Sequence, residues 1–212
     1  MKIKNWLGII VILIFLSAML YSGLYTETHS FNTPDPVDGV LDLTKWSFES
    51  QGPVTLDGKW EFYFNQFLTS EDFQMRGDLK PEYIKIPSTL SSMNEIKPFD
   101  SNYFYGTLRL VIKLPTTNLS YGLSSDIVLS SYKLFINGIL YNEVGKVGTN
   151  RETSAPYYKL NQSYFDSSNR TVELIYHTSD FNFGDNAITS PRLGYATQIA
   201  NESKLSLSRD LF

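Results

Sequence analysis

Gly106-Thr107-Leu108-Arg109-Leu110-Val111-Ile112-Lys113-Leu114 is the stretch on which the fold turns. Leu108, Leu110, Ile112 and Leu114 recur at every second position, with Thr107, Arg109 and Lys113 between them. A period of two places the apolar side chains on one face of a strand, against a core, and the polar ones on the other. Further on stand Tyr132-Lys133-Leu134-Phe135-Ile136 and Ile139-Leu140-Tyr141, joined by Asn137-Gly138. Asn-Gly between two apolar runs predicts a hairpin, because a type I′ turn needs two residues that tolerate positive φ. Asp126-Ile127-Val128-Leu129 adds another apolar run. Residues 106–148 therefore read as the middle of an antiparallel β domain.

The flanks repeat the pattern. Upstream, Asp57-Gly58 is a turn between two strand-like runs, and Trp60, Phe62 and Phe64 share one face of the second. Trp60 is expected in the core, where such a ring buries ~150–250 Å2. Residues 65–79 are polar, with a short helix expected near Ser70-Glu71-Asp72-Phe73. Tyr83-Ile84-Lys85-Ile86 is a short strand ended by Pro87, and residues 88–103 form a long Ser/Asn/Asp-rich loop. Downstream, Thr171-Val172-Glu173-Leu174-Ile175-Tyr176-His177 is a late strand with one apolar and one mixed face. Pro191-Arg192-Leu193-Gly194-Tyr195 reads as the closing edge strand. About eight strands with turn signals between them and little helix define an all-β chain, an antiparallel β-sandwich or jelly roll.

Composition narrows the function. Aromatic residues make up 15% of the 212 residues, with 14 Tyr and 14 Phe. Such residues suit pleated, half-buried surfaces and equally suit sugar-binding ones. The net charge of −4 lacks the basic excess that nucleic acid attracts, so no nucleic-acid partner is expected. No cysteine is present, which excludes disulfides, thiolate metal sites and cysteine nucleophiles. His29 and His177 are the only histidines. No metal site and no cofactor are expected. Asp180, Asp185 and Asn186 could offer oxygens to calcium, but their spacing matches no EF-hand loop.

At the N-terminus, Lys2 and Lys4 precede an uncharged run over residues 6–25. Twenty residues of helix rise about 30 Å, enough to cross a bilayer. The basic end would stay in the cytoplasm and the remainder would be exported. Residues 1–25 are thus a signal anchor, with a cleaved signal peptide as the rival reading. Residues 26–39, carrying Asn32-Thr33-Pro34-Asp35-Pro36, read as a linker. The β domain is placed at 40–199 on the extracytoplasmic side of the cell membrane. Residues 200–212 are a tail leading towards a possible membrane region.

A set of short motifs, in order, carries a family likeness. Leu56-x-Gly58-x-Trp60-x-Phe62-Tyr63 opens it, and Ile86-Pro87 and Tyr105-Gly106 follow. Tyr132-Lys133-Leu134-Phe135-Ile136-Asn137-Gly138 comes next, with Gly145, Gly148, Phe181, Gly184 and Leu193-Gly194 behind it. This pattern resembles the extracellular sensor domain of bacterial seven-transmembrane receptors with diverse intracellular signalling modules. It is similar, more distantly, to the galactose-binding-like jelly roll of glycosidases such as β-galactosidases. The resemblance implies a ligand-sensing domain in a longer receptor, with a downstream kinase or cyclase output module as partner.

The residues themselves fit a carbohydrate or small-molecule ligand. Sugar binding needs flat aromatics for the apolar ring face and planar polar side chains for the hydroxyls. The loop candidates are Tyr103, Tyr105, Arg151, Glu152, Tyr157, Asn182 and Asp185. Arg109, on the non-core face of its strand, suits a cross-strand ion pair. Two alternatives stand beside this reading: a non-catalytic protein-interaction or dimerisation module, and an accessory sugar-binding domain of a glycosidase. A glycosidase needs a pair of carboxylates at a set separation. Glu61, Glu143, Glu152, Glu173 and Asp185 are scattered without a motif, so the chain is not expected to be an enzyme.

Overall fold

The structure is a computed structural model. It describes residues 33–89, 103–125, 131–157, 161–181 and 187–209, together with Phe15 and Ser17. The side chains of residues 203–209 are not among those described. Two compact units divide the chain, Met1–Asn32 and Thr33–Phe212. The expected anchor lies outside the described residues apart from Phe15 and Ser17, which are helical. Among the described residues no helix is long and apolar enough to cross a membrane.

The second unit is the antiparallel sandwich that the alternation predicts. Its thirteen described strands are β1 (Val40–Asp42), β2 (Val54–Thr55), β3 (Gly58–Phe64), β4 (Glu82–Ile86), β5 (Ser88–Thr89), β6 (Phe104–Lys113), β7 (Leu119–Ser125), β8 (Ser131–Ile136), β9 (Ile139–Val144), β10 (Asn161–Ser167), β11 (Thr171–Asp180), β12 (Ala187–Ile188) and β13 (Arg192–Tyr195). Three helices accompany them: α1 (Phe48–Gln51), α2 (Ser70–Met75) and α3 (Ala196–Arg209). One sheet runs β4-β3-β6-β11-β8-β9, with β1 added in parallel beside the end of β6. The other runs β10-β7-β13-β2, and β5 and β12 form a separate pair. The sequence count of about eight falls short at β7 and β10, whose buried positions carry Gly, Ser and Asn beside few apolar residues, and at β1, β5 and β12, which hold only two or three residues each. Strands that short have no periodicity and exist by pairing alone. The apolar run at Asp126–Leu129 lies outside the described residues.

The two sheets share one core. Leu108, Leu110, Ile112, Leu134, Leu174 and Tyr176 come from the larger sheet; Tyr121, Leu123, Phe165 and Leu193 come from the smaller. Trp60 and Phe62 are buried among them. The Asn137-Gly138 turn has φ of +49° and +80°, the two positive values a type I′ hairpin demands. Asp57-Gly58 marks a different kind of turn. β2 pairs with β13 in the smaller sheet while β3 joins β4 and β6 in the larger, so the chain crosses between layers there. Gly58 has φ of +128°, and a Cβ on it would come 2.5 Å from the Pro36 ring. Residues 33–39 belong to the same compact unit as the sandwich. The Lys59 amide donates to the Pro36 carbonyl and the Gly39 amide to the Lys59 carbonyl.

β13 corrects one expectation. It is not an edge strand: β7 flanks it on one side and β2 on the other. The pattern misleads because its outer neighbour, β2, is only two residues long. Beyond β13, α3 lies on β7, where a Cβ on Gly122 would meet Ile199 at 2.8 Å. The Gln198 side chain ties the start of this helix to the Phe48 carbonyl and the Tyr195 amide, at 2.6 and 2.9 Å.

The second face of the larger sheet is less wet than alternation alone implies. Thr107, on that face, is fully buried. Residues 65–75 cross over it: the Thr107 hydroxyl donates to the Gln66 carbonyl and accepts from the Leu68 amide. α2 then sits on the sheet. Thr69 caps it and Asp72 returns the bond to the Thr69 amide, a reciprocal capping box.

Candidate functional site

Four of the sequence candidates, Tyr103, Tyr105, Arg151 and Glu152, lie towards one end of the larger sheet. Tyr103 and Tyr105, at the start of β6, stack on Phe181 with centroids 6.2 and 6.5 Å apart. Tyr105 also meets Phe67 at 5.2 Å. Arg151 and Glu152 are exposed on a turn whose flanks are tied to β11. The Gly148 amide donates to the Ser179 hydroxyl, and the Ser154 and Ser179 hydroxyls are bonded, both at 3.1 Å. Ser179 pairs with Tyr105 in the sheet register. Tyr157 is exposed beyond the same loop. Asn182 and Asp185 lie outside the described residues, as does Asn186.

A concavity lies towards the other end of that sheet. It is a cleft of about 570 Å3, within the range of small-ligand sites. α2 contributes Ser70, Phe73 and Gln74; β6 contributes Arg109 and Val111; the hairpin turn and β9 contribute Asn137, Ile139 and Tyr141. Phe165, Asp166, Ser168, Asn169, Thr171 and Glu173 complete the wall from β10, β11 and their connection.

Arg109 organises this cleft. Its Nε donates to Glu173 Oε1 at 2.7 Å and its Nη1 to Glu61 Oε2 at 2.9 Å. The cross-strand register explains both bonds, because Glu61 faces Arg109 directly and Glu173 lies across the β6–β11 ladder from Val111. The Tyr63 hydroxyl donates to Glu61 Oε2 at 3.0 Å and the Ser70 hydroxyl to Glu173 Oε2 at 2.5 Å. The Phe73 ring covers the guanidinium at 4.3 Å, a cation–π contact. Burial opposes the charge on Arg109, but the bonds to Glu61 and Glu173 outweigh it and hold its pKa above the usual guanidinium value. Burial, then the Glu61 carboxylate, push the Tyr63 phenol up. The site's cation is thereby fixed in place before any ligand arrives.

Asn137 fixes the rim. Its Oδ1 accepts from the Glu173 amide and its own amide donates to the Glu173 carbonyl, each at 2.9 Å. The hairpin turn is thus tied directly to a carboxylate-bearing residue of the Arg109 network. Of these residues, sequence reading singled out only the Arg109 ion pair and the Asn-Gly turn. Ser70, Phe73, Gln74, Asp166 and Asn169 gave no local signal, because they converge from elements far apart in the chain. Glu61 and Glu173 looked scattered for the same reason, and folding brings them to one guanidinium.

His177 stands beside the cleft's support. Its Nε2 donates to the Leu68 carbonyl at 2.7 Å, and Phe67 and Phe135 flank the ring. Burial first, and Lys133 after it, hold its pKa below the ordinary value of 6.5, against the opposing pull of the Leu68 bond. The sign of the consequence follows directly. Below about pH 6.5 the unfolded chain takes up a proton that the folded imidazole refuses, so stability contributed by neutral His177 is lost as pH falls. Urea unfolding between pH 7.5 and 5 should show a declining midpoint, and His177→Gln should flatten that decline. An equal slope in the variant would contradict it.

No family model matches the chain, and no curated protein matches it. Solved structures share its outline at domain level. A GH2 β-galacturonidase from Eisenbergiella tayi is 8% identical, with a TM-score of 0.41 over 66% of this chain and 24% of that one. A β-glucuronidase from Ruminococcus gnavus is 12% identical, with a TM-score of 0.43 over 66% of this chain and 28% of that one. A β-glucuronidase from Faecalibacterium prausnitzii is 12% identical, with a TM-score of 0.40 over 59% and 20%. The chain thus spans about a quarter of the length of these enzymes.

Proposed function

We propose that this chain is a non-catalytic carbohydrate-binding domain, and the extracytoplasmic ligand-sensing part of a membrane signalling receptor. The observation that supports the first part is the composition of the Arg109 cleft. Tyr141 offers flat apolar surface, Phe73 the part of its ring that Arg109 and Tyr63 leave uncovered, and Gln74, Asn137 and Asn169 offer planar amides. Rings with an apolar face and a hydroxyl rim are matched by such a wall. Glu61 and Glu173 are both committed to Arg109 and to a hydroxyl, which suits a positioning role rather than proton transfer. The receptor reading rests on the apolar run over residues 6–25 and on the family likeness of the motifs. The output module belongs to a longer chain in this reading.

Calorimetric titration of the full chain with neutral oligosaccharides tests the binding. Saturable heat is expected, together with a rise in melting temperature. Gln74→Ala, at an exposed position on α2, is expected to keep the fold and weaken binding by about fivefold, ~1 kcal/mol. A broad neutral panel that produces neither heat nor thermal shift would refute the reading. Reporter fusions after Phe212 and within residues 33–39 test the topology, with an extracytoplasmic signal expected at residues 33–39.

A further inference from the structure

We infer that the Arg109 cleft selects neutral and amine-bearing saccharides and rejects uronates. This inference rests on the saccharide reading above and sharpens it. The argument is a charge inventory. Among the described residues lining the cleft, the charged ones are Arg109, Glu173 and Asp166. Glu61 is bonded to Arg109 as well. One cation therefore meets three carboxylates, and the site carries a net negative charge.

The geometry removes the usual escape. A sugar carboxylate is recognised best by the bidentate fork of an arginine. Here Nε and Nη1 of Arg109 are already held by two carboxylates, and the Phe73 ring lies over the guanidinium plane. Lys113, the next charged residue on the same face of β6, reaches towards Asp42 at 4.0 Å and does not line the cleft. A uronate would bring a further carboxylate into this field with no lining cation left to meet it; Arg170, exposed between Asn169 and Thr171, does not line the cleft. A hydroxyl brings no charge and can both donate and accept. An ammonium group would be drawn to the Asp166 side of the wall, where the carboxylate is exposed and bonded to the Ser120 hydroxyl.

The test compares matched disaccharides that differ only in their functional group. Glucose-, glucosamine- and glucuronate-based members, and their galacto counterparts, are titrated into the full chain at low salt. The neutral member is expected to bind at least about tenfold tighter than the uronate, and the amine at least as tightly as the neutral one. Raising the salt concentration should narrow the gap. Asp166→Asn should narrow it by about threefold, since it removes one exposed charge from the wall. Uronate binding equal to or tighter than neutral binding would overturn the inference while leaving the saccharide reading standing. A gap that neither salt nor Asp166→Asn changes would also overturn it, because its cause would then be shape. If no member of any series binds, the saccharide reading itself fails and the inference falls with it.

Discussion

Trp60→Ala is expected to lower the free energy of unfolding by about 3–5 kcal/mol, the range for deleting a large buried aromatic. Trp60 is 1% exposed. Its indole Nε1 donates to the Leu56 carbonyl at 3.0 Å, and its ring meets Tyr176, on β11 of the same sheet, at 6.1 Å. Three contributions are lost together: transfer of the ring, the cavity left behind, and the hydrogen bond to the Leu56 carbonyl at the layer crossing. Small domains are stable by only about 5–15 kcal/mol, so the variant could populate unfolded chain in buffer. Trp60→Phe keeps the result readable. It retains most of the apolar volume and removes the indole donor, and should cost about 1–2 kcal/mol. Urea denaturation of both variants checks the pair. A cost below 1 kcal/mol for Trp60→Ala would show that the ring is not a core member.

Arg109→Met carries the second large effect, about 3 kcal/mol of stability at neutral pH. The side chains of Arg109, Glu61 and Glu173 are only 20%, 13% and 18% exposed. Removing the cation leaves two poorly solvated carboxylates, on the two strands that flank β6, with no counter-charge. The loss measures that penalty rather than the worth of the ion pairs themselves. A cycle separates the two. In a Glu61→Gln, Glu173→Gln background, Arg109→Met should cost about 1 kcal/mol or less, because no charge is stranded. Arg109→Lys should fall between, since one ammonium cannot span both carboxylates with the geometry of the fork. Equal costs for Arg109→Met in both backgrounds would mean that packing of Phe73 on the guanidinium, not charge, holds the network.

The two predictions sit at different depths of legibility. Trp60 was readable as core from its place in an alternating run, since burial of a strand face needs only the period. The Arg109 ion pair was half readable: a lone arginine on the non-core face of a central strand asks for a partner across the ladder. Which carboxylates answer depends on register, and register depends on the whole sheet. The loop candidates carry a signal of residue type alone. Tyr103 and Tyr105 prove to share Phe181, while Arg151 and Glu152 ride a turn tied to Ser179. The cleft went unread because its wall is assembled from α2, β6, the β8–β9 hairpin and the β10–β11 connection, over a hundred residues of chain.

Taken alone, the amino-acid order settled the strand faces, the Asn137-Gly138 hairpin and the all-β class. Each of these is decided by side chains within a few residues of one another, through backbone pleat and allowed φ. Tertiary structure alone decided that β13 is interior, that residues 65–75 cover the second face of the larger sheet, and that Glu61 and Glu173 meet on Arg109. Those outcomes are set by the free energy of packing whole layers together, where two-residue strands gain their place from neighbours and charges find partners that no local pattern names.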